Sequence, residues 1–135
     1  KLEGASKDII IFTSLADTAP AQWFGIVVNS GGYMYGGGFT LRYGGRGAGG
    51  NPNAIAGIGV FGGSVNLSDG RIDNNYLAGM RLYNSATSTL SNFEFLNHQT
   101  PAGNSTAFIS ANSTIQATNV TFTGNTTDKS PANAF

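Results

Sequence analysis

Four charged residues are the side chains whose types and spacing best suit chemistry in this chain. When the internal repeats are aligned, Arg42 and Asp73 fall in one outward column, and Arg71 and Glu94 fall in the next. Opposite charges on neighbouring strands can pair, so the alignment predicts two ion pairs. These residues are either a solvated charge ladder, with each pair contributing under about 1 kcal/mol, or a patch that binds or cleaves a saccharide.

Other residues offer little for catalysis or metal binding. Glycoside hydrolysis needs two placed carboxylates, and few of the seven acidic residues can converge. Asp69 and Asp73 are too few for the six to eight oxygen ligands of calcium. His98 is the single histidine and follows Asn97 at a predicted turn, which is typical of a structural or exposed residue. There is no cysteine, which excludes a disulfide, a thiolate metal site and a cysteine nucleophile. Because no catalytic constellation converges, we predict no catalytic residue, no metal site and no cofactor.

Aromatic residues and glycines could serve binding. Trp23, Tyr33, Tyr35 and Tyr43 could form a platform for sugars, although Trp23 aligns with apolar residues of later repeats, which favours packing. The glycine-rich stretch 44–50 is followed by no GK[ST] motif, so it predicts a surface loop and no phosphate site.

Asparagine residues supply a further kind of candidate site. Sequons of the form Asn-x-Ser/Thr, the acceptors of N-linked glycans, begin at five positions: Asn66, Asn104, Asn112, Asn119 and Asn125. A chain rich in Asn, Ser and Thr also produces sequons by chance. Occupied sequons would require an exported protein.

Composition excludes two classes of partner. The 135 residues include seven basic and seven acidic side chains, and only 10% are charged. Nucleic-acid binding needs a basic patch, so we expect no nucleic-acid partner. No apolar run approaches the ~20 residues of a membrane helix, so we also predict no membrane span.

The elements that must position these residues repeat along the chain. Four segments align on a small residue followed by an apolar one: Phe24–Val28, Ala56–Val60, Ala78–Leu82 and Thr106–Ser110. Each is followed by a second short strand: Phe39–Leu41, Gly70–Ile72, Phe93–Phe95 and Val120–Phe122. Ile10–Phe12 matches the second strand and supplies a partial rung. The apolar period is two, which is typical of strands.

Repeats of this length predict a parallel coil in which each strand pairs with its equivalent one turn later. Inward residues then form two columns: Ile26/Ile58/Met80/Phe108 and Leu41/Ile72/Phe95/Phe122. Alternation predicts that Gly25 and Gly79 face away from this core. Asn74 and Asn97 share a turn position, where we expect stacked amides, and Phe61 aligns with Tyr83 as an expected ring stack.

Several of these segments resemble a known family. The stretches Ile11–Leu15, Trp23–Ile26 and Leu41–Gly45 are similar to right-handed parallel β-helix repeats of the pectate-lyase-like superfold, as found in large secreted microbial surface proteins. The likeness spans roughly residues 8–126. It implies an all-β, right-handed solenoid of about four to five rungs. The family includes polysaccharide lyases, polygalacturonases, tailspikes and adhesins, so the fold alone does not fix function.

The ends of such a coil bear on function. We expect an N-terminal tail over residues 1–7, the β-helix over 8–126 and a C-terminal tail over 127–135, with Phe135 either disordered or plugging a neighbour's open core. Neither tail shows a capping helix, so three explanations stay open: the chain is a fragment of a longer solenoid, its short tails cap it, or subunits stack end to end. We therefore expect an extracellular or cell-surface structural or adhesive module, a filament or surface-layer subunit that self-associates through its open ends. The alternative is a polysaccharide-binding or polysaccharide-cleaving fragment.

Overall fold

The computed structural model describes residues 1–7, 9–45, 56–100 and 107–127. These residues form strands and no helix. In chain order the strands are β1 (Leu2–Glu3), β2 (Ile10–Phe12), β3 (Ile26–Asn29), β4 (Tyr33–Gly37), β5 (Phe39–Arg42), β6 (Ala56–Phe61), β7 (Ser64–Asp73), β8 (Ala78–Tyr83), β9 (Thr87–Leu96), β10 (Gln99–Thr100), β11 (Phe108–Ser110), β12 (Thr114–Thr123) and β13 (Thr126–Thr127).

One sheet contains the strands β3, β6, β8 and β11, and all its pairs are parallel. Its register places Ile26 opposite Ile58, Ile58 opposite Met80, and Met80 opposite Phe108. The first predicted column is therefore confirmed.

A second, larger sheet carries β2, β4, β5, β7, β9 and β12, with β1 at its edge. Leu41 lies opposite Ile72, Ile72 opposite Phe95, and Phe95 opposite Phe122. Phe12 precedes this column opposite Leu41, which confirms the partial rung. The chain is thus an all-β parallel solenoid of about four turns, as predicted.

The long strands of the second sheet each turn a corner at one residue with positive φ. Asp69, Asn92 and Asn119 have φ of 50°, 51° and 52°, and Gly38 lies at the same corner with φ of 69°. Asn, Asp and Gly tolerate this left-handed conformation best. Before the corner Val65 and Leu67 point inward, and after it Ile72 does. Each turn of the coil therefore has three sides.

Apolar side chains fill the centre of the coil. Ile58, Ile72, Met80 and Phe95 are all 0% exposed. Burial of such a side chain contributes about 1.5–3 kcal/mol. Of the equivalent residues in the first and last turns, Leu41 and Phe108 are also buried, but Ile26 and Phe122 are only partly buried. The centre of the stack is therefore its best-packed part.

A buried hydrogen-bonded column, which we call the inner ladder, runs through Asn75, His98 and Asn125. The Gly44 N–H donates to Asn75 Oδ1 over 2.7 Å, the Asn75 N–H to His98 Nδ1 over 3.2 Å, and the His98 N–H to Asn125 Oδ1 over 3.0 Å. Each side chain thus satisfies a backbone donor of the preceding turn.

The predicted stacking of the Asn74 and Asn97 amides is wrong. Both residues adopt positive φ, of 49° and 53°, and Asn74 Nδ2 donates to Asp73 Oδ1 over 3.3 Å. Their backbone turns the chain at the corner, which directs the next residue inward. The side-chain column consequently forms one residue later than predicted.

An exposed column of amides, which we call the outer ladder, runs along the corner of the second sheet. Asn92 Nδ2 donates to Asp69 Oδ1 over 3.0 Å, and Asn119 Nδ2 donates to Asn92 Oδ1 over 2.9 Å. The same three residues hold the positive φ, so this ladder fixes the corner from outside.

Two expectations about packing were confirmed and one was wrong. Phe61 and Tyr83 stack with ring centroids 5.9 Å apart and planes 3° apart. Trp23 packs against the core. Gly79, however, faces inward, because a Cβ there would lie 2.6 Å from His98 Nε2 and 2.8 Å from Phe95 Cδ1. The strict alternation of the sequence fails at this position.

Several residues with predicted roles lie outside the described ranges. These are most of the glycine-rich stretch 44–50, Asn104, Thr106 and residues 128–135 with Phe135. Within the segment 1–7 that was assigned to a tail, β1 pairs with β4.

Candidate functional site

Two outward surfaces flank the corner of the second sheet. The polar face lies before the corner on β4, β7, β9 and β12. Its outward residues are Tyr33, Tyr35, Ser64, Asn66, Ser68, Thr87, Thr89, Ser91, Thr114, Gln116 and Thr118. The charged face lies after the corner and is formed by Lys7, Asp17, Thr40, Arg42, Arg71, Asp73 and Glu94.

The register of the charged face is the one predicted. Arg42 lies opposite Asp73, and Arg71 lies opposite Glu94. Arg71 Nε is 2.9 Å from Glu94 Oε2, so the predicted pair between these residues is confirmed. Lys7 forms a second ion pair with Glu94, which the sequence did not indicate.

The predicted Arg42–Asp73 ion pair is wrong, because Arg42 binds Asp17. Arg42 Nε donates to Asp17 Oδ1 over 2.7 Å, and Nη2 donates to Oδ2. Asp17 has φ of 49°. The Thr13 hydroxyl donates to its carboxylate, and Ser14 Oγ accepts its N–H over 3.0 Å. This local hydrogen bonding holds the carboxylate over Arg42. A non-repeating loop supplies it, so the repeat alignment gave no signal.

The carboxylates of the charged face differ in acidity. Hydrogen bonds from Arg42 and Thr13 hold the pKa of Asp17 below its ordinary value. Hydrogen bonds from Lys7 and Arg71 do the same for the pKa of Glu94. Asp73 is 8% exposed, and burial raises its pKa above the ordinary value. Asp73 is therefore the one carboxyl of this face whose environment disfavours its charge.

This arrangement is charge-balanced. Lys7 and Arg71 are both bound to Glu94, and Arg42 is bound to Asp17. Each cation thus already has an anionic partner, which lowers the gain from binding an acidic saccharide. Asp73 alone does not provide the two free carboxylates of glycoside hydrolysis. The geometry therefore does not favour a polysaccharide-cleaving function for these residues.

The described ranges 1–7, 9–45, 56–100 and 107–127 contain no cluster of side chains suited to bind a metal ion. No group of three or more His, Cys, Asp or Glu residues there could hold a metal ion. Asp69 and Asp73, the two residues considered for calcium, lie at the corner and at the end of β7. Asp69 is bound to Asn92 in the outer ladder.

The four aromatic residues considered as a platform separate into different surroundings. Tyr33 and Tyr35 stack on each other, with ring centroids 5.2 Å apart and planes 18° apart. The indole N–H of Trp23 donates to the Arg42 carbonyl oxygen over 2.7 Å. Tyr43 lies under the Arg42 guanidinium, 5.7 Å from it. Only the two tyrosines of β4 come together as an exposed aromatic surface.

The sequon asparagines also differ in access. Asn66, Asn112 and Asn119 are exposed, whereas Asn125 is buried. Asn125 Nδ2 donates to the Phe95 carbonyl oxygen over 3.2 Å, so a glycan on that nitrogen would disturb the inner ladder. Asn112 borders an open polar depression with Ser85 and Ser110.

His98 takes the structural one of the two roles that the sequence left open. It is 0% exposed and belongs to the inner ladder. The signal was the repeated position after the turn, which Asn75 and Asn125 share.

No family model, curated protein or solved structure matches the chain. The fold is established by strand register, and kinship with pectate-lyase-like proteins stays a prediction. Within the part of the chain that the structure describes, no helix is long and apolar enough to cross a membrane.

Proposed function

We propose that this chain is an extracellular structural and adhesive module, a right-handed β-helix of the kind found in secreted microbial surface proteins, which associates end to end with further copies. The observation that supports this proposal is strand β12 at one end of the described stack, which has a described partner strand along only one of its edges. The low charge and the hydroxyl-rich composition agree with it.

Strand β12 is long and pairs along only one edge. It pairs with β9 from Thr114 to Thr123, and no other described strand pairs with it. The opposite edge of a parallel strand presents N–H and C=O groups that can pair with a further strand. An edge of this length is a template for an added turn.

Apolar side chains accompany this edge. Ile115 and Val120 are only partly buried and pack on the last turn of the core. At the opposite end of the stack, Ile10 and Ile26 are also only partly buried. Both ends thus combine a strand edge with incompletely covered apolar surface.

The two ends are different surfaces, so contact between them is heterologous. Such a contact does not close on itself and continues as a filament. Because every described strand pair within the second sheet's long ladder is parallel, a head-to-tail copy would extend that ladder in the same direction.

The test is the mass of the purified chain in solution over a concentration series. Wild type should form a ladder of oligomers in light scattering coupled to size exclusion, and fibres in electron micrographs. Ala117 is exposed and continues the inward column of Leu67 and Leu90. Ala117→Lys places a charge on the open end and should abolish the oligomers.

Thr118→Lys is the matched control, because Thr118 is the next residue but lies in the outward column of Ser91. It adds the same charge to the same strand and should retain association. Circular dichroism checks that both variants fold. A wild type that stays monomeric at high concentration, or equal behaviour of the two variants, would contradict the proposal.

A further inference from the structure

The polar face begins on β4 with two exposed tyrosines. Tyr33 is 58% exposed and Tyr35 is 39% exposed, although they stack on each other. Both project from β4 on the same side, since they are two residues apart on one strand. Tyrosine is enriched at interfaces, and contiguous exposed apolar surface marks binding sites whereas scattered single apolar residues do not.

Hydrogen-bonding groups continue from the tyrosines across the sheet. Tyr33 lies opposite Ser64 and Tyr35 lies opposite Asn66. The next strand places Thr87 and Thr89 beyond them. Neighbouring strands are roughly 4.8 Å apart, so hydroxyl and amide groups lie one and two strand spacings from the rings. These groups can each both donate and accept.

Charge decides what kind of ligand suits this surface. The outward residues of the polar face are uncharged. Two charged positions border it: the exposed Asp69 follows Ser68 on β7 and accepts a hydrogen bond from Asn92, and Glu3 of β1 is paired with the preceding Lys1. An anionic ligand would find no cation among the outward residues of this face to pair with. A neutral ligand carries no charge whose hydration would be lost on binding. A ligand with an apolar face and many hydroxyl groups matches both the tyrosine rings and the hydroxyl and amide side chains beside them.

We propose that Tyr33 and Tyr35, together with Asn66 and Thr89, bind a neutral polysaccharide. The C–H face of a sugar ring packs on the tyrosine rings, and its hydroxyl groups exchange hydrogen bonds with the amide and hydroxyl side chains. Tyr33 and Tyr35 lie on β4 in the first turn of the stack, so the mass of each variant in solution is measured beside its binding.

The test is affinity electrophoresis of the folded chain in gels that contain one polysaccharide each: xyloglucan, mannan, mixed-linkage glucan, or polygalacturonate as the acidic comparison. Wild type should be retarded by at least one neutral polysaccharide and not by polygalacturonate. Tyr33→Ala and Tyr35→Ala should each raise the dissociation constant at least about tenfold. Thr89→Val, which keeps the shape and removes the hydroxyl, should raise it by a smaller factor.

Tyr76→Ala is the matched control, since Tyr76 is 36% exposed and lies away from the polar face, between β7 and β8. It should leave the retardation unchanged, and thermal unfolding should show that all variants fold. The proposal fails if no neutral polysaccharide retards wild type, if the Tyr33 and Tyr35 variants behave like wild type, or if only polygalacturonate retards it. It also fails if Tyr35→Ala changes only the mass in solution, because the tyrosines then contact a second copy.

Discussion

His98 occupies a place in the inner ladder where the neighbouring turns carry asparagine. Its Nδ1 accepts the Asn75 N–H, so in the neutral ring the proton lies on Nε2. Among the described residues Nε2 has no hydrogen-bond partner. Burial lowers the pKa of His98 to about 4, although the backbone of Asn75 and Ile72 acts against that shift. Protonation would charge the core and remove the Nδ1 acceptor.

We predict that His98 makes the fold weaker in mild acid. The unfolded chain takes up the proton near pH 6.5, but the folded chain does so only near pH 4. Between these values the unfolded state binds more protons, so stability falls as pH falls. The free energy of unfolding should drop by roughly 2 kcal/mol from pH 7 to pH 5, measured by denaturant titration.

His98→Asn is the variant that separates this effect from other titrations. Asparagine occupies the same column at Asn75 and Asn125, so the variant should fold and keep the backbone bond. Asp73 has a raised pKa but titrates in both proteins, so their difference reports His98. A variant whose stability falls with pH as steeply as that of wild type would show that His98 is not responsible.

At the scale of elements, a corner of the coil makes two demands on one residue: a left-handed backbone conformation and a side chain that continues the outer ladder. Asn92 holds φ of 51° and also links Asp69 to Asn119 in the outer ladder. Glycine satisfies the backbone at the same corner in an earlier turn, at Gly38. The left-handed backbone conformation is thus the stricter requirement at this corner, because Gly38 adopts it without a side chain in the outer ladder.

We predict that Asn92→Ala destabilises the protein more than Asn92→Gly does. Both variants lose the two hydrogen bonds that Asn92 forms in the outer ladder. Alanine must in addition adopt the left-handed conformation, which costs roughly 1–2 kcal/mol. Denaturant midpoints of the two variants measure the difference. Equal stability of the two variants would mean that the backbone of this corner relaxes.

Elements with a period of two could be predicted from the sequence, and irregular ones could not. Columns such as Ile58–Met80 follow from alternation, because one-residue slips would expose every apolar side chain. The inner ladder and the inward Gly79 follow corners where alternation breaks. Asp17 lies in a loop without a repeat, so neither its position nor its bond to Arg42 had a periodic signal.

At the scale of the whole molecule, each turn of the coil contacts only the turns next to it. The free energy of unfolding is therefore approximately a sum of contributions from single turns and from the contacts between neighbouring turns. The middle turns contain most of the residues with 0% exposure, such as Ile58 and Phe95, and the outermost strands contain partly buried ones, such as Ile10 and Val120. Opening of the structure should therefore begin at the ends.

We predict that amide hydrogen exchange is slowest in β6 to β9 and fastest in β2 and β12. The free energy of opening should fall from the centre outward, because each outer turn has one neighbour and each central turn has two. Exchange followed by mass spectrometry on a dilute sample measures this gradient. Uniform protection along the chain would indicate that the whole stack unfolds as one unit.

Length variation in this coil is confined to one of its three edges. The connections before β4, β7, β9 and β12 span two or three residues, and the corner inside the second sheet takes one. Among the described connections from the charged face to the first sheet, 13–25 precedes β3 and the much shorter 74–77 precedes β8. Insertions and substitutions there can diversify the molecule while every column of its interior keeps its place.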